Sequence, residues 1–541
     1  MMQTPLLLTD FVKRAERFFP NKLIISRTGE TIHRIPYKEF GKRTRKLAEA
    51  LTKLGMQHGT KVGSFAWNHH RHLEAYFGVP CSGAILHMIN IRLSPEHIAY
   101  VINHAEDEIL LVDADLLPLI EKLAPLLKTV RHYVIMQDGF DLPKTSLENV
   151  SSYEMILAEA SDDYEFPEDL DENTPAGMCY TSATTGNPKG VVYTHRGIVL
   201  HSFALGLTDV MGLSERDIVL SVVPMFHANA WGLPFASVFF GTTQVLPGPG
   251  FTPQLLLDLV EQEKVSLTAG VPTIWLGVLK EQEKNPRDLS SLRAVVCGGS
   301  ASPKGLIRAF EEKYGIPFIV GYGMTETTPI VSLSTLTSAM DNLSMDERID
   351  MRALQGMTVP GLDVRIVNEN GEVPWDGKTM GELTIRGPWV ASEYYKDERT
   401  EEAFRDGWLY TGDIAVMTED GYIKITDRTK DLIKSGGEWI SSVDLENALM
   451  THESVFEAAV IAVPHEKWQE RPLACVVLKE EYVNSVTKED LLSYLEGQFA
   501  KWWVPDNVVF LNEIPKTSVG KFLKASLRND LAETYRVKET I

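Results

Sequence analysis

The stretch Tyr180-Thr181-Ser182-Ala183-Thr184-Thr185-Gly186-Asn187-Pro188-Lys189-Gly190 decides how the rest of the chain is interpreted. It holds four Ser/Thr hydroxyls, two glycines and one lysine. The apolar run before it is typical of a strand end, and a helix-like stretch follows from Thr194. A turn between strand and helix with this composition presents O–H and N–H donors and a lysine charge to one small volume. The stretch therefore predicts a polyphosphate-binding loop, with a polar surface loop as the alternative, and it is not a Walker A loop.

Size and charge limit the possible functions. The chain has 541 residues and a net charge of −21. At about 100–200 residues per domain we expect three or four structural units. The acidic balance argues against nucleic-acid binding and against a polybasic membrane patch, so we expect at most peripheral membrane contact.

Cysteine usage and the N-terminal composition indicate a cytoplasmic protein. The chain has four widely spaced cysteines without CxxC spacing, which predicts structural thiols in a reducing compartment. No stretch approaches ~18 consecutive apolar residues, and the first residues lack a signal-peptide pattern. We expect no transmembrane segment, and a homodimer is possible.

Helix-like and strand-like stretches alternate over residues 1–175 and again over 217–324. In the first region a helix over 116–127 lies between apolar strands at 109–112 and 133–136. Such alternation predicts βαβ units and parallel sheet. In the second region the strands end in glycine-rich or polar turns, and ligands of open α/β sheets bind at the carboxyl ends of strands.

The character of the sequence changes twice after residue 355. Residues 355–428 contain turn signals between short strands, which predicts a β-rich subdomain. The pattern breaks near 427–431, and a capping-box match at Ser441 and Asp444 then opens a helix. We predict an α/β fold with a large N-terminal domain, residues 1–428, built from mixed and parallel sheets flanked by helices. A small, mobile α+β C-terminal domain, residues 429–541, follows a hinge near Lys430.

Two further clusters carry chemistry. In the stretch 321–327, Tyr322 can stack on a planar base, and Glu326 offers the hard oxygen ligand that Mg²⁺ prefers. In the stretch 407–413, Asp413 can accept two hydroxyls of a ribose, and hairpin pairing would bring Arg428 to the same end. Taken alone, each cluster also fits an ordinary turn.

The motifs together resemble the adenylate-forming superfamily, which joins acyl-CoA synthetases, luciferases and peptide-synthetase adenylation domains. The resemblance extends from about residue 10 to 530 and includes the loop at 181–190, the clusters at 321–327 and 410–413, the stretch 427–431 and the terminal Lys521. The stretch DGWLYTGDIAVMTEDGYIKITDRTKDLIKSGGEW, residues 406–439, is similar to the fatty acyl-CoA synthetase signature.

The resemblance implies ATP, Mg²⁺ and CoA as ligands. It implies catalytic roles for Lys521, Glu326 and His227, and a Mg²⁺ site at Thr181 and Glu326. The residues implied to bind ATP or AMP are Thr181, Ser182, Thr184, Thr185, Gly186, Lys189, Gly299, Ser300, Ala301, Gly321, Tyr322, Gly323, Met324, Thr325, Asp413, Arg428, Lys430, Lys434 and Trp439. The residues implied to line the CoA path are Ser435, Gly436, Gly437 and Glu438.

The resemblance also implies an acyl site and two half-reactions. Phe226, Trp231 and Val271 would contact the acyl group; for Trp231 an ordinary core aromatic is the alternative, as a packed core histidine is for His227. Lys521 would reach the carboxylate and the α-phosphate, where charge builds in the transition state. Rotation about Lys430 would then bring the CoA path to the acyl-adenylate.

These observations predict an ATP-dependent fatty acid–CoA ligase acting on medium- or long-chain acids. The alternatives are a ligase for aryl or branched acids and, in a different class, a catalytically weak acyl- or nucleotide-binding protein. The second alternative rests on Ala183, which stands where the family's loop usually has glycine. We expect the small-molecule substrates, a fatty acid, ATP and CoA, as ligands, and a homodimer as the assembly to test.

Overall fold

The fold is built from three β-sheets and the helices packed on them. The computed structural model describes residues 2–181, 186–436, 438–483, 485–516 and 522–531. The strands in these residues are β1 Leu23–Thr28, β2 Thr31–Pro36, β3 Lys61–Phe65, β4 Ile85–Met88, β5 Ile109–Asp113, β6 His132–Met136, β7 Val150–Ser152, β8 Pro175–Tyr180, β9 Gly190–Thr194, β10 Ile218–Ser221, β11 Thr243–Leu246, β12 Leu267–Gly270, β13 Ala294–Gly298, β14 Phe318–Gly323, β15 Ile330–Leu333, β16 Gly356–Thr358, β17 Asp363–Asn368, β18 Gly371–Glu372, β19 Gly381–Arg386, β20 Phe404–Arg405, β21 Trp408–Met417, β22 Tyr422–Arg428, β23 Ile433–Ser435, β24 Glu438–Ile440, β25 Val455–His465, β26 Gln469–Leu478 and β27 Asn507–Phe510.

Helices cover the faces of these sheets. The α-helices are α1 Thr9–Phe18, α2 Tyr37–Lys53, α3 His70–Gly78, α4 Pro95–Ala105, α5 Leu117–Leu123, α6 Tyr153–Ala158, α7 His195–Leu205, α8 Leu233–Phe240, α9 Pro253–Glu263, α10 Pro272–Lys284, α11 Lys304–Arg308, α12 Met345–Arg352, α13 Thr400–Ala403, α14 Ser442–Thr451, α15 Lys488–Glu496 and α16 Lys524–Leu531. Short 3₁₀ segments lie at Pro80–Ser82, Ala124–Leu126, Thr325–Thr327, Ser338–Met340 and Glu480–Tyr482, a left-handed turn lies at Ala228–Gly232, and a π-helical turn lies at Ala309–Lys313. None of the helices in the described residues combines the length and apolarity needed to cross a membrane.

The first sheet confirms the predicted βαβ pattern. Its strand order is β7-β6-β5-β3-β4-β8-β9, and all neighbouring pairs except β8 and β9 are parallel. Every residue of β5 is buried, as expected for a parallel strand covered on both faces. The order places the end of β8, Tyr180, near one edge of this sheet.

The loop after Tyr180 joins strands β8 and β9, so the prediction that a helix directly follows this loop was wrong. β9 pairs antiparallel with β8, with Cys179 opposite Val191. Helix α7 begins at His195, as the helix-like stretch from Thr194 predicts, and the Thr194 side chain caps it by accepting from the Gly197 N–H at 3.0 Å. The β-branched and aromatic run at 191–193 favours a strand in place of the expected turn. The predicted polyphosphate loop is therefore the loop of a β-hairpin.

The second sheet positions most of the predicted nucleotide residues. Its path runs β18-β17-β19-β21-β22-β16-β15-β14-β13-β12-β10-β11-β1-β2, with β20 paired to β21. Strands β10 to β14 form its parallel centre, so their carboxyl ends lie at one edge. The β-rich region predicted at 355–428 is hydrogen-bonded to this centre through the antiparallel strands β15, β16 and β22.

The C-terminal residues form a small α+β domain around a third sheet. Strands β24, β23, β26, β25 and β27 make this sheet, with β27 parallel to β26. Helix α14 begins where the sequence predicts: the Ser441 side chain accepts from the Asp444 N–H at 3.1 Å. Leu445 and Leu449 of α14 and Val460 of β25 are fully buried in one apolar cluster. The α/β fold class, with a large N-terminal and a small C-terminal domain, is confirmed.

Candidate active site

The base of the hairpin loop is held by hydrogen bonds between Thr181 and Lys189. The Thr181 N–H donates to the Lys189 carbonyl at 2.9 Å, and the Lys189 N–H donates to Thr181 Oγ1 at 3.1 Å. Gly186 has φ +70°, a conformation that favours glycine. The predicted loop residues Ser182, Thr184 and Thr185, and Ala183 with them, lie outside the described residues.

Lys189, Tyr394 and Glu326 form a connected polar group beside this loop. Lys189 Nζ donates to the Tyr394 hydroxyl at 2.7 Å and lies 3.9 Å from Glu326 Oε1. The Tyr394 hydroxyl donates to the same Glu326 oxygen at 2.6 Å. Burial lowers the pKa of Lys189, and burial together with the Glu326 charge raises the pKa of Tyr394. The structure thus links the loop lysine to the predicted magnesium ligand.

Sequence reasoning missed Tyr394, which belongs to an irregular stretch of residues 389–399 that we call the bridging segment. The Tyr395 N–H donates to the Gly190 carbonyl at 2.8 Å, and the Ala391 N–H donates to the Glu326 carbonyl at 2.8 Å. The segment therefore ties the hairpin to the short turn that carries Glu326. The only signal in the sequence is a pair of tyrosines among charged residues outside any predicted element.

Tyr322, Asp413 and Arg428 form a second polar group. Asp413 and Arg428 are directly opposite each other in the β21–β22 hairpin, so the expectation that pairing returns Arg428 to Asp413 is confirmed. Arg428 Nε lies 3.2 Å from Asp413 Oδ1, and the Tyr322 hydroxyl donates to Asp413 Oδ2 at 2.5 Å. Burial and the Asp413 charge raise the pKa of Tyr322, and Asp413 raises that of Arg428. A carboxylate oriented from two sides can accept the two hydroxyls of a ribose.

The carboxyl ends of β13 and β14 approach each other closely. Gly298 is directly opposite Gly321, and a Cβ atom on Gly298 would lie 2.7 Å from the Gly321 carbonyl oxygen. The predicted adenine residues follow these strands: Gly299 and Ser300 are exposed, and Ala301 is partly buried. Gly321, Tyr322, Gly323 and Met324 are also partly buried, and Thr325 is buried with its carbonyl accepting from the Tyr193 hydroxyl at 2.9 Å.

The predicted acyl residues Phe226, Trp231 and Val271 have different surroundings. Phe226 is fully buried in the apolar core of the first sheet, 5.9 Å from the Arg92 guanidinium carbon. Trp231 instead reaches the nucleotide edge, where its ring carbon would lie 3.2 Å from a Cβ atom on Gly298. Val271 lies at the carboxyl end of β12 and is partly buried. The structure therefore brings Trp231 and Val271 toward strand ends that carry the predicted nucleotide residues, while Phe226 packs in the same apolar cluster as Tyr180, the last residue of β8.

A left-handed turn carries Trp231. Residues 228–231 have φ values of 44°, 56°, 47° and 59°, and the His227 N–H before them donates to the Pro224 carbonyl at 3.0 Å. Each non-glycine residue in this conformation costs roughly 1–2 kcal/mol. The surrounding packing must offset that cost, because Ala228, Asn229 and Ala230 are all buried. The turn fixes where the partly buried Trp231 side chain leaves the backbone.

The predicted CoA and hinge residues lie on the C-terminal side of β22. Burial and the Arg428 charge lower the pKa of Lys430. Lys434 Nζ lies over the Trp439 ring, 4.5 Å from its centroid. Ser435 Oγ accepts from Arg471 Nη1 at 3.1 Å. The Gly436 N–H, at φ +63°, donates to the Trp468 carbonyl at 2.8 Å.

Three of the remaining predicted residues give no side-chain geometry. Gly437 and Lys521 lie outside the described residues, and of Glu438 only the backbone, in β24, is described. Arg471 and Trp468 were not predicted. They come from strand β26 and the turn before it, and their proximity to the Ser435–Gly436 turn arises only through sheet pairing.

A buried ionic group joins the large domain to the C-terminal domain. Asp427 Oδ2 accepts from the Ser442 N–H at 2.8 Å and from its hydroxyl at 2.5 Å. Lys524 Nζ donates to that hydroxyl at 2.5 Å and lies 2.6 Å from Glu446 Oε1. Burial raises the pKa of Glu446 to about 7, although the Lys524 charge opposes it. This group was not predicted, and it holds the start of α14 against the C-terminal end of strand β22.

Two protein-family models match this chain. A family model described as AMP-binding enzyme matches residues 11–395, and a model described as AMP-binding enzyme C-terminal domain matches residues 444–521. The chain belongs to the AMP-binding enzyme family. The resemblance to the adenylate-forming superfamily is thereby confirmed.

Curated relatives span almost the whole chain. A long-chain-fatty-acid–CoA ligase of Thermus thermophilus is 49% identical over 541 residues, covering 99% of this chain and 97% of the relative. A 3-methylmercaptopropionyl-CoA ligase of Ruegeria lacuscaerulensis is 42% identical, covering 98% of each chain. A medium-chain-fatty-acid–CoA ligase of Ectopseudomonas oleovorans is 41% identical, covering 98% of this chain and 96% of the relative.

A solved structure of similar shape carries an acyl-adenylate. The anthranilate CoA ligase in complex with anthranoyl-AMP has a TM-score of 0.87 and 26% identity, with 98% of each chain covered. Family, relatives and fold together make this chain an AMP-forming acyl-CoA synthetase, with ATP and CoA as substrates.

Proposed function

We propose that the protein is a fatty acid–CoA ligase with a preference for medium- or long-chain acids. The observation that carries this proposal is the 49% identity, over nearly the full length of both chains, to a long-chain-fatty-acid–CoA ligase. The first half-reaction joins the fatty carboxylate to the α-phosphate of ATP and releases pyrophosphate. In the second, the CoA thiol attacks the acyl carbon, which yields acyl-CoA and AMP.

Asp413 and Tyr322 are proposed as the centre of the nucleoside site. Asp413 is 5% exposed and is held between Arg428 and the Tyr322 hydroxyl, so it needs little reorganisation to accept two ribose hydroxyls. The backbone approach at Gly298 and Gly321 supports an adenine position at the neighbouring residues 299–301 and 321–325. Arg428, with Lys430, Lys434 and Trp439 after it, would lie near the same nucleotide.

The hairpin loop is proposed as the site of the β- and γ-phosphates. Thr181, Gly186 and Lys189 would contribute together with Ser182, Thr184 and Thr185. In a chain with a net charge of −21, a polyphosphate site must be built from local cations. Lys189 is such a cation, and the Tyr394 hydroxyl connects it to Glu326.

The residues around Glu326 fit a magnesium ion. Mg²⁺ usually binds proteins through one or two carboxylates together with substrate phosphates and water. Glu326 is a buried carboxylate of this kind, and no cluster of three or more acidic, histidine or cysteine ligands occurs in the described residues. Glu326, with Thr181, would hold the ion, which would supply positive charge beside the phosphates.

The chemical step is assigned to Lys521 and the acyl contacts to Trp231, Val271 and Phe226, with His227 orienting the carboxylate. A cation is needed where an anionic carboxylate approaches an anionic phosphate. We further propose that the large domain comprises residues 1–428 and the small domain 429–541. Rotation about Lys430 would exchange Lys521 for the CoA path at residues 435–438.

A second candidate function is a CoA ligase that acts on an acid with a short thioether chain. It is favoured by the 42% identity to the 3-methylmercaptopropionyl-CoA ligase, which is little below the value for the fatty-acid relative. Both candidates predict two separable reactions: acid-dependent pyrophosphate release without CoA, followed by CoA-dependent AMP release. Absence of both reactions, with nucleotide binding retained, would instead support a binding protein.

A further inference from the structure

Arg399, at the end of the bridging segment, faces the hairpin loop. Its Nη1 donates to the Asn187 carbonyl at 3.1 Å and would lie 3.9 Å from a Cβ atom on Gly186. These two residues form the described end of the loop that precedes Lys189. Arg399 is separated from Asn187 by 212 positions in the sequence, so the contact is made by the fold and is not a local turn.

Asp397 fixes the orientation of this guanidinium. Asp397 Oδ1 accepts from Arg399 Nε at 2.8 Å and from the Arg399 backbone N–H at 3.0 Å, and Oδ2 accepts from Nη2. Only 9% of the Asp397 side chain is exposed. An arginine fork held on one side by a carboxylate presents its remaining donors in a fixed plane, which a lysine cannot do.

The Arg399 charge also reaches the loop lysine. After burial, which is the largest cause, the Arg399 charge contributes to the lowered pKa of Lys189. Tyr394 of the same segment contacts Lys189 directly. The bridging segment therefore supplies both a hydroxyl and a second cation to the hairpin loop.

We propose that Arg399, oriented by Asp397, is a positioning residue that fixes the Gly186–Asn187 end of the loop for binding the β- and γ-phosphates of ATP. This inference rests on the proposed role of the loop as the phosphate site. Arg399 acts through the Asn187 carbonyl, so its loss weakens ATP binding more than it slows the chemical step.

The test measures acid-dependent ATP–pyrophosphate exchange without CoA. Arg399→Ala should raise the KM for ATP at least tenfold, with kcat within threefold and the KM for the acid unchanged. Arg399→Lys should remain within threefold of Arg399→Ala, because an ammonium group cannot hold Asp397 and Asn187 together. The matched control is Lys396→Ala, which removes a cation of the same segment that is 51% exposed and pairs with Glu106.

A KM for ATP within twofold of wild type in Arg399→Ala would overturn the proposal, as would full recovery in Arg399→Lys or an equal loss in Lys396→Ala. If Arg399→Ala does not fold, Asp397→Asn decides: the proposal requires a threefold to tenfold rise in the KM for ATP, and a value within twofold rejects it. Wild-type protein without exchange on any acid would instead reject the proposed function. Exchange in wild type with an unaffected Arg399→Ala rejects only the role of Arg399.

Discussion

Replacement of Asp413 by asparagine tests the nucleoside site most sharply. The change keeps the side-chain shape but removes the charge that faces Arg428 and accepts from Tyr322. A hydrogen bond to a charged group contributes about 1.5–3 kcal/mol, and the asparagine side chain would retain only one acceptor oxygen for two ribose hydroxyls. We therefore expect AMP binding to weaken by about 1.5–3 kcal/mol, or roughly 10- to 150-fold in Kd.

The assay is calorimetric titration with AMP, which carries the ribose but not the β- and γ-phosphates. The matched control is Asp420→Asn, because Asp420 is exposed in the turn at the other end of the same hairpin. Thermal unfolding of both variants checks that the fold is retained. A Kd for Asp413→Asn within threefold of wild type, with Asp420→Asn equal to wild type, would refute the assignment of the ribose to Asp413.

Three further predictions address the rest of the site. Tyr394→Phe removes the hydroxyl between Lys189 and Glu326, so the KM for ATP should rise by about threefold to tenfold (about 0.7–1.4 kcal/mol); an unchanged KM in steady-state assays contradicts this. Because burial raises the pKa of Glu446 to about 7 from 4.5, the folded protein binds more protons than the unfolded chain between these values, and stability falls as pH rises through them. Glu446→Gln should remove this pH dependence, which amounts to at most about 3 kcal/mol in the free energy of unfolding. Urea unfolding at pH 5 and pH 8 measures it, and an equal change in unfolding free energy between the two pH values in wild type and Glu446→Gln would contradict the prediction. Lys430→Pro restricts φ at the proposed hinge and should slow one half-reaction at least tenfold more than the other; both rates intact would exclude a hinge there.

The site residues that the sequence predicted correctly are brought together by the pairing of neighbouring strands. The turn signal at 419–421 predicts the β21–β22 hairpin, which brings Arg428 back to the Asp413 end, and a one-residue register shift between Ile414 and Ala415 places Arg428 directly opposite Asp413. Likewise, parallel strands place their carboxyl ends at one edge of the sheet, so Gly298 of β13 lies opposite Gly321 of β14.

The contacts that sequence reasoning missed depend on long-range packing. The bridging segment has no regular periodicity, and Tyr394 and Arg399 meet the hairpin loop across more than two hundred residues. Lys524 reaches Ser442 and Glu446 because α16 and α14 both pack against β25. The hairpin itself was misjudged because the run at 191–193 was not recognised as a strand partner of β8.

The acid specificity of pyrophosphate release tests the proposed fatty acid–CoA ligase activity. The kcat/KM of pyrophosphate release is compared for acids from C2 to C18, benzoate and 3-methylmercaptopropionate, each with saturating ATP and magnesium. We expect the highest kcat/KM for a medium- or long-chain fatty acid, at least tenfold above the values for benzoate and 3-methylmercaptopropionate. A maximum at 3-methylmercaptopropionate, at benzoate or at acetate would contradict it.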